Sequence, residues 1–322
     1  MNEPAAPEVA ALLQQARAGQ ARALARLVSL LERPDGPHRE IAVALAPYGE
    51  RARVIGVTGA PGVGKSTTTS ALVRHLRRRG ERVGVIAVDP SSPFSGGALL
   101  GDRIRMQEHA TDPAVYVRSM AARGHLGGLA VATPAVLRLL DAAGFDTVLI
   151  ETVGVGQSEV EVAGTADTVL VLLAPGSGDA VQVAKAGLLE VGDVYAVNKA
   201  DRDGAEAVVK ELRQVLGVVP RAAADWARPV VRTVATTDEG IPDLLAALDA
   251  HAAWAGRSGE LARRREARAA REIAALALAH LTRSAVPELD GQQPLTELAR
   301  RVVAGELDPW TAADLLLAAR AD

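Results

Sequence analysis

The spacing of apolar residues divides the chain into helical ends and a central region with a different pattern. Near the N-terminus apolar residues recur every three or four positions, which predicts a helical hairpin from Glu8 to about Leu31, interrupted at Gly19. Residues 33–37 contain two prolines and a glycine that break this pattern. A further short helix is expected up to about Leu45.

From about Arg53 the pattern changes to short apolar runs separated by longer helical segments. Most of these runs have no polar face, as in parallel strands that are covered on both sides. The predicted strands are residues 54–58, 83–89, 115–119, 147–151, 168–173, 194–198 and 230–234. The predicted helices include residues 65–80, 134–143, 204–216 and 242–251. This order predicts an α/β fold with a mostly parallel sheet and helices on both sides.

After about Arg257 the helical spacing returns. The basic run at residues 263–265 is interleaved with Glu260, Glu266 and Glu272, so we interpret it as a solvated helix face and not as a binding patch. The expected parts of the chain are an N-terminal helical segment at 1–50, a central domain at 51–256 and a C-terminal helical arm at 257–322.

Composition and charge argue against several classes of function. The 36 basic residues nearly balance the 39 acidic ones, and a net charge of -3 gives no electrostatic footprint for nucleic acid or for an anionic membrane. The absence of cysteine excludes disulfides and thiolate metal sites, and it fits the cytoplasm. No apolar run approaches the roughly 18 residues of a membrane span. We therefore expect a soluble cytoplasmic protein with neither nucleic acid nor membrane as a partner.

The segment between the first predicted strand and the first central helix has the phosphate-loop pattern. It reads Gly59-Ala60-Pro61-Gly62-Val63-Gly64-Lys65-Ser66 and is followed by Thr67. Backbone N–H groups of such a loop curve around phosphates, and the helix N-terminus favours their negative charge. We expect the Lys65 side chain to project into the phosphate site and Ser66 to bind Mg²⁺. An ordinary glycine-rich turn is the alternative.

A second motif, Asn198-Lys199-Ala200-Asp201, follows a later strand, at the edge where open α/β sheets bind ligands. Together with a phosphate loop it is typical of guanine recognition, in which the Asp201 carboxylate accepts from guanine N1–H and the exocyclic amine. A helix cap is the alternative for an isolated Asp. The pair of motifs predicts a GTP or GDP site.

Carboxylates between these motifs are candidate metal ligands. Glu151 ends a predicted strand, and Gly154 follows three residues later, where its N–H is expected near the γ-phosphate. Asp89 and Asp102 flank the segment 90–101. Oxygen ligands of this kind suit a hard cation such as Mg²⁺, bound directly or through water.

These residues together give the chain a resemblance to the methylmalonyl-CoA mutase-associated GTPases, the MeaB/ArgK group. The matching segments are residues 59–67, 88–93, 100–106, 123–129, 151–159 and 198–201. The resemblance implies a Mg²⁺-dependent GTPase that serves an adenosylcobalamin-dependent acyl-CoA mutase as a chaperone. It also implies that Asp89, Asp102 and Glu151 surround the Mg²⁺, that residues 176–185 form a further switch loop near the partner, and that the C-terminal arm forms a homodimer.

Two features depart from related GTPases. The family usually carries a Ser-Ala-type loop against the guanine, and this chain has Val234-Ala235-Thr236 there. A side-chain contact from serine is therefore lost, and a lower guanine affinity is expected. No glutamine follows Gly154 directly to orient water, so Gln157 is a candidate for that role. We expect slow intrinsic hydrolysis that depends on Lys65, Glu151 and Gln157. We expect Lys185 to accelerate this hydrolysis when the partner is bound.

Two other functions stay open at the level of sequence. A P-loop kinase or ATPase could transfer phosphate to a small molecule or protein, and a scaffold could bind GTP without turnover. Release of free phosphate from GTP would indicate a GTPase and not a kinase. Measurable turnover would exclude the scaffold.

Overall fold

The computed structural model describes residues 6–33, 35–90, 106–109, 111–122, 132–152, 158–176, 188–218, 225–285 and 293–318. Within these residues, seven parallel strands form one sheet in the order β3-β2-β4-β1-β5-β6-β7. The strands are β1 Arg53–Thr58, β2 Val83–Pro90, β3 Val115–Ala122, β4 Thr147–Thr152, β5 Thr168–Leu173, β6 Val194–Val197 and β7 Val230–Arg232. All seven predicted strands are confirmed, with small differences at their ends.

Helices precede, connect and follow these strands. They are α1 Ala6–Arg17, α2 Ala21–Glu32, α3 His38–Leu45, α4 Lys65–Arg78, α5 Thr133–Ala142, α6 Ser158–Thr165, α7 Leu188–Val191, α8 Ala205–Val218, α9 Ile241–Ser258, α10 Glu260–Ala285, α11 Gln293–Val303 and α12 Pro309–Ala318. The 3₁₀ turn Gln107–His109 precedes β3. The predicted N-terminal hairpin is confirmed as α1 and α2, which are separated by Gly19.

Helices cover both faces of the sheet, as the apolar strands predict. One face packs against α4 and α9, through residues such as Leu72, Leu76 and Leu244. The other face packs against α5, α6 and α8, and the N-terminal helices continue the same apolar cluster. Arg118 of β3 forms an ion pair with Glu32 of α2, which ties the hairpin to the sheet.

The chain forms two compact units, Met1–Arg264 and Arg265–Asp322. The expected boundaries at residues 50 and 256 remain predictions. In the second unit, α11 and α12 contact each other. Several large apolar side chains of this unit are exposed: Ile273, Leu276, Leu278, Leu295, Val303, Trp310 and Leu315.

The interpretation of residues 263–265 as a purely solvated face is wrong for Arg264. Its Nη1 and Nη2 atoms donate to Oδ2 and Oδ1 of Asp193 at 2.7 and 2.9 Å, and its Nε donates to Glu260 at 2.6 Å. Asp193 immediately precedes β6 and is buried, so Arg264 attaches the start of α10 to the N-terminal edge of the sheet. The alternation of acidic and basic residues along the helix could not reveal Asp193, a partner that lies 71 residues away in the sequence.

Candidate nucleotide-binding site

The phosphate loop connects β1, at the centre of the sheet, to α4. Two of its glycines are required by their surroundings. Gly59 has φ of 142°, and a Cβ atom there would lie 2.2 Å from the carbonyl oxygen of Leu172 in β5. Gly64 has φ of 98° at the N-cap of α4, and its Cβ would lie 2.4 Å from Asn198 Nδ2. The loop therefore passes too close to neighbouring strands for any side chain at these positions.

The first turn of α4 provides the anion-binding geometry expected of this loop. Gly64 has no side chain with which to cap the helix, and Thr68 N–H donates to the Gly64 carbonyl at 2.9 Å to begin it. N–H groups of the first helical turn lack partners within the helix and carry the positive end of its dipole. This end of α4 is thus suited to phosphate.

Lys65 is buried and its ammonium group donates to two carbonyl oxygens of its own loop. The Nζ atom lies 2.7 Å from Gly59 O and 3.1 Å from Ala60 O. The ammonium therefore also fastens the loop in its curved form, and its predicted contact with phosphates stays a prediction. To reach a phosphate, Lys65 must turn from these carbonyls toward the ligand oxygens.

Ser66 and Glu151 meet beside the phosphate loop. Alternation along β4 places Leu149 and Glu151 on the sheet face that α4 covers, and Ser66 Oγ donates to Glu151 Oε1 at 2.6 Å. Both side chains are buried. In the register of the sheet, Val88 pairs with Thr152, so the backbone of Asp89 lies at the same edge. Two of the predicted oxygen ligands therefore converge.

A complete metal site is not assembled within the described part of the chain, where no group of three or more His, Asp or Glu side chains could hold an ion. The side chain of Asp89 and all of Asp102 lie outside the described residues. Gly154, Gln157 and Lys185 also lie outside them, so their predicted roles are not tested. Thr67 lies in the first turn of α4 with an exposed side chain.

Asn198 joins the phosphate loop to the segment that follows β7. Its Nδ2 donates to the Val63 carbonyl at 2.9 Å, and its Oδ1 accepts from the Ala235 N–H at 3.1 Å and from Thr233 Oγ1 at 3.3 Å. Asn198 is buried, and its bonds reach two other connections: one goes to the phosphate loop and two go to the segment after β7. One amide thus fixes the relative position of the phosphate loop and the predicted base loop.

Lys199 and Asp201 follow Asn198 in the turn after β6. Lys199 has φ of 57°, and its Nζ donates to the Gly62 carbonyl at 2.6 Å. Ala200 N–H donates to Thr233 O at 3.0 Å, so the connections after β6 and β7 lie side by side. Asp201 is exposed at this edge, where its carboxylate is open to a ligand.

The base loop, defined here as residues 234–239, is a tight turn. Val234 N–H donates to Glu239 O at 2.9 Å, and Thr237 N–H donates to Val234 O at 3.1 Å. Val234 and Ala235 are buried and Thr236 is exposed. Sequence analysis singled out residues 234–236 but missed Thr233 and Asp238. The Thr-Asp-Glu-Gly sequence at 237–240 is a turn signal that could have drawn attention to the loop's second half.

In the part of the chain that the structure describes, no helix combines the length and the apolar character needed to cross a bilayer.

Comparison with known proteins identifies the family. The profile described as methylmalonyl Co-A mutase-associated GTPase MeaB matches residues 24–288. A putative GTPase of Pyrococcus abyssi is 45% identical over 308 residues, which cover 95% of both chains. The methylmalonic aciduria type A homolog of mouse mitochondria is 38% identical over 272 residues, covering 82% of this chain and 65% of the mouse protein.

A solved structure supports the same conclusion. The crystal structure of a LAO/AO transport system kinase has a TM-score of 0.71 and 26% sequence identity, and the match covers 98% of this chain and 97% of that one. The seven-stranded parallel sheet, the phosphate loop before α4 and the relatives named as GTPases agree on a GTP-hydrolysing P-loop protein. The chain belongs to the MeaB family of methylmalonyl-CoA mutase-associated GTPases.

Proposed function

We propose that this GTPase acts as the chaperone of an adenosylcobalamin-dependent acyl-CoA mutase. It would gate delivery of the cofactor and protect or reactivate the mutase. The observation that carries the proposal is the family match over residues 24–288, since that family is described as mutase-associated. The name of the mouse relative, methylmalonic aciduria type A homolog, points to the same metabolism. The cytoplasmic location stays a prediction from composition.

In this proposal the nucleotide lies across the edge of the sheet between the phosphate loop and the base loop. Backbone N–H groups at 59–66 and the Lys65 ammonium bind phosphates, and Asp201 accepts from guanine. Residues 234–236 lie against the base. The Asn198 hydrogen bonds support this arrangement, because they set the distance between the two loops before nucleotide binds. Gly154 and Gln157 are proposed to act at the γ-phosphate.

The proposal includes Mg²⁺, and the donor atoms beside the loop suit it. Ser66 Oγ and the Glu151 carboxylate are oxygen donors brought within 2.6 Å of each other, and hard cations prefer such ligands. Asp89 and Asp102 would complete their surroundings. Bound Mg²⁺ neutralises charge on the phosphates. The protein's own part is to hold Ser66 at the first turn of α4 and Glu151 at the end of β4.

The test of this function is binding to candidate mutases. We expect the protein to co-purify with one of the isomerases of methylmalonyl-CoA, isobutyryl-CoA or hydroxyisobutyryl-CoA, with an affinity that differs between GDP and a non-hydrolysable GTP analogue. GTP hydrolysis should release free phosphate and accelerate in the complex. Failure to bind any of the three enzymes would contradict the chaperone role, and phosphate on a metabolite would support the kinase alternative.

Lys185 provides a sharper test, because the segment 176–185 resembles a partner-responsive loop. A cation brought to the phosphates by the partner stabilises developing charge, and arginine fingers that act in this way accelerate hydrolysis by roughly 10³–10⁵. We expect Lys185→Ala to keep GTP affinity and slow basal turnover but to lose most of the stimulation by the mutase. Single-turnover hydrolysis with and without the mutase measures both. Full stimulation of the variant would remove Lys185 from this role.

A further inference from the structure

Asp238 lies near the end of the base loop and faces the helix that begins at the phosphate loop. Its φ of 62° is in the left-handed region, which Asp tolerates better than most residues. The carboxylate receives Arg74 Nη2 at 2.6 Å and Arg74 Nε at 3.4 Å. His75 Nε2 at 3.3 Å and Arg78 Nη1 at 3.6 Å also face it, so three side chains of α4 surround one carboxylate.

Arg74 is held from its other side as well. Its Nη1 donates to Glu108 Oε1 at 2.7 Å, and the side chain is only 29% exposed. Glu108 in turn accepts from Ser70 Oγ, and Ser70 contacts His109 Nε2 at 2.9 Å. These groups fix the 3₁₀ turn 107–109 on the side of α4. The guanidinium therefore lies between two carboxylates, in an orientation that a single ammonium group could not reproduce.

The base loop thus has two anchors, one in each half. Asn198 holds its first half through the Ala235 N–H, and Arg74 holds its second half through Asp238. Arg74 is nine residues after Lys65 on the same helix, about 14 Å along its axis. Because a helix is stiff over this length, Arg74 fixes the position of the base loop relative to the phosphate loop.

We propose that Arg74 is a positioning residue for guanine, which acts through Asp238 to hold the base loop at its working distance from the phosphate loop. The inference rests on the base site described under Proposed function. A base loop fixed in advance does not lose conformational freedom when the nucleotide binds, so its ordering does not weaken affinity. Without Arg74, Asp238 keeps only its longer contacts with His75 and Arg78, at 3.3 and 3.6 Å, and the turn of the loop itself.

The experiment compares ligands that share the phosphates but differ in the base. GDP and inosine diphosphate (IDP) both present the O6 acceptor to the base loop. IDP lacks the exocyclic amine from which Asp201 is proposed to accept a hydrogen bond. Inorganic pyrophosphate engages the phosphate loop alone. Calorimetric dissociation constants of all three ligands are measured for wild type, Arg74→Met, Asp238→Asn and Glu108→Gln. Asn tolerates the left-handed backbone at 238, so Asp238→Asn removes the charge while preserving the turn.

We expect Arg74→Met and Asp238→Asn to weaken GDP and IDP equally, by about tenfold, which corresponds to the loss of one well-placed contact. Pyrophosphate affinity should stay unchanged. Glu108→Gln should have a smaller effect in the same direction, since it loosens Arg74 without removing it. The matched control is Arg77→Met. Arg77 lies on the same helix with 25% exposure, but it binds Asp112 and the Glu81 carbonyl instead of the base loop.

The outcomes separate this inference from the base site on which it rests. Unchanged GDP affinity in Arg74→Met and Asp238→Asn overturns the inference, and so does an equal loss of pyrophosphate affinity, which would indicate general damage to the fold. Asp201→Asn serves as the reference variant. If it alters the preference between GDP and IDP while Arg74→Met does not weaken either, the base site stands and only the positioning role fails. If Asp201→Asn has no effect, the proposed base site itself is wrong.

Discussion

Lys65 stabilises the phosphate loop and is also expected to bind the phosphates. Its ammonium holds Gly59 and Ala60 through their carbonyl oxygens, and the residue itself begins α4, the helix whose first turn is suited to phosphate. Replacing it therefore removes a ligand contact and two hydrogen bonds within the loop, each worth about 1 kcal/mol of net stability.

We expect Lys65→Ala to abolish GTP turnover and to weaken GDP strongly, while the protein stays folded with a slightly lower melting temperature. Nucleotide titration and thermal unfolding of the same preparation measure these effects. Arg77→Met, on the outer part of α4, provides a control for general destabilisation. If Lys65→Ala hydrolyses GTP at the wild-type rate, the phosphate-loop assignment is incorrect.

Asp201 is placed to decide which base binds. It is exposed at the edge formed by the connections after β6 and β7, and it follows directly the residues that bind the phosphate loop. A carboxylate accepts from guanine N1–H and its amine, whereas an amide can donate to the carbonyl of xanthine. We expect Asp201→Asn to weaken GTP and to favour xanthosine triphosphate. Competition between the two nucleotides measures the shift, and unchanged discrimination would exclude Asp201 from the base site.

At the scale of elements, Asp193 joins the start of β6 to three neighbours. Its carboxylate accepts from Val169 N–H of β5 at 2.8 Å and from Arg264 of α10, and it lies 3.4 Å from His251 of α9. Burial raises the pKa of this carboxyl, but the hydrogen bonds from His251 and Arg264 outweigh it and lower the pKa to about 2. The same contact raises the pKa of the Arg264 guanidinium against the effect of its burial.

This pKa predicts how stability depends on pH. Because the folded-state pKa lies below the ordinary value of 3.8, the stabilisation is complete above about pH 4 and is lost as the pH falls toward 2. Its size is about 2 kcal/mol. We expect Asp193→Asn to lower the free energy of unfolding by about that amount at pH 7, because the partly buried Arg264 guanidinium loses the charge of one of its two carboxylate partners and keeps only Glu260.

Urea unfolding of wild type and Asp193→Asn between pH 7 and pH 3 tests this expectation. The difference between them should be constant above pH 5 and should shrink below pH 4. Asp249→Asn is the comparison, since Asp249 pairs with Arg53 and Arg79 but is 43% exposed. A difference between wild type and Asp193→Asn that does not change with pH would mean that the ion pair is not the source of the stability.

At the level of the whole molecule, the C-terminal unit exposes several large apolar side chains. Their exposure does not contribute to the stability of a monomer. Ile273 is 68% exposed and Leu276 is 53% exposed on α10. Val303 at the end of α11 is 89% exposed, and Trp310 on α12 is 84% exposed. Ile273 and Leu276 are three positions apart on one helix and so share a face, and contiguous exposed apolar surface marks interaction sites. They support the expectation that this arm forms a homodimer.

We expect the protein to be a dimer in solution and Ile273→Glu with Leu276→Glu to convert it to a monomer, because two charges would be buried at the contact. Light scattering coupled to size-exclusion chromatography measures the mass of each form. Val43→Glu is the matched control, since Val43 is also 68% exposed but lies on α3 in the first unit. A monomeric wild type, or a dimer that survives the double change, would contradict the role of this arm.

The fold class, the strands and the phosphate loop could all be predicted from the amino-acid sequence, because each depends on local patterns. Residues 169–173 are apolar throughout, which is the signature of a strand covered on both faces, and the structure places β5 at Thr168–Leu173. The phosphate loop is equally local, since its glycines, lysine and serine lie within eight consecutive residues and directly precede α4. Such features need no knowledge of distant contacts.

The contacts between residues far apart in the sequence could be found only in the folded chain. Asn198 reaches Val63 and Ala235, Arg74 reaches Asp238 across 164 positions, and Arg264 reaches Asp193. Nothing in the local pattern distinguishes Arg74 from Arg77 or Arg78 on the same helix, because their partners are set by the sheet order and by the packing of α9 against α4. The physical reason is that hydrogen bonds and ion pairs depend on position in space, whereas periodicity records only which face of an element is apolar.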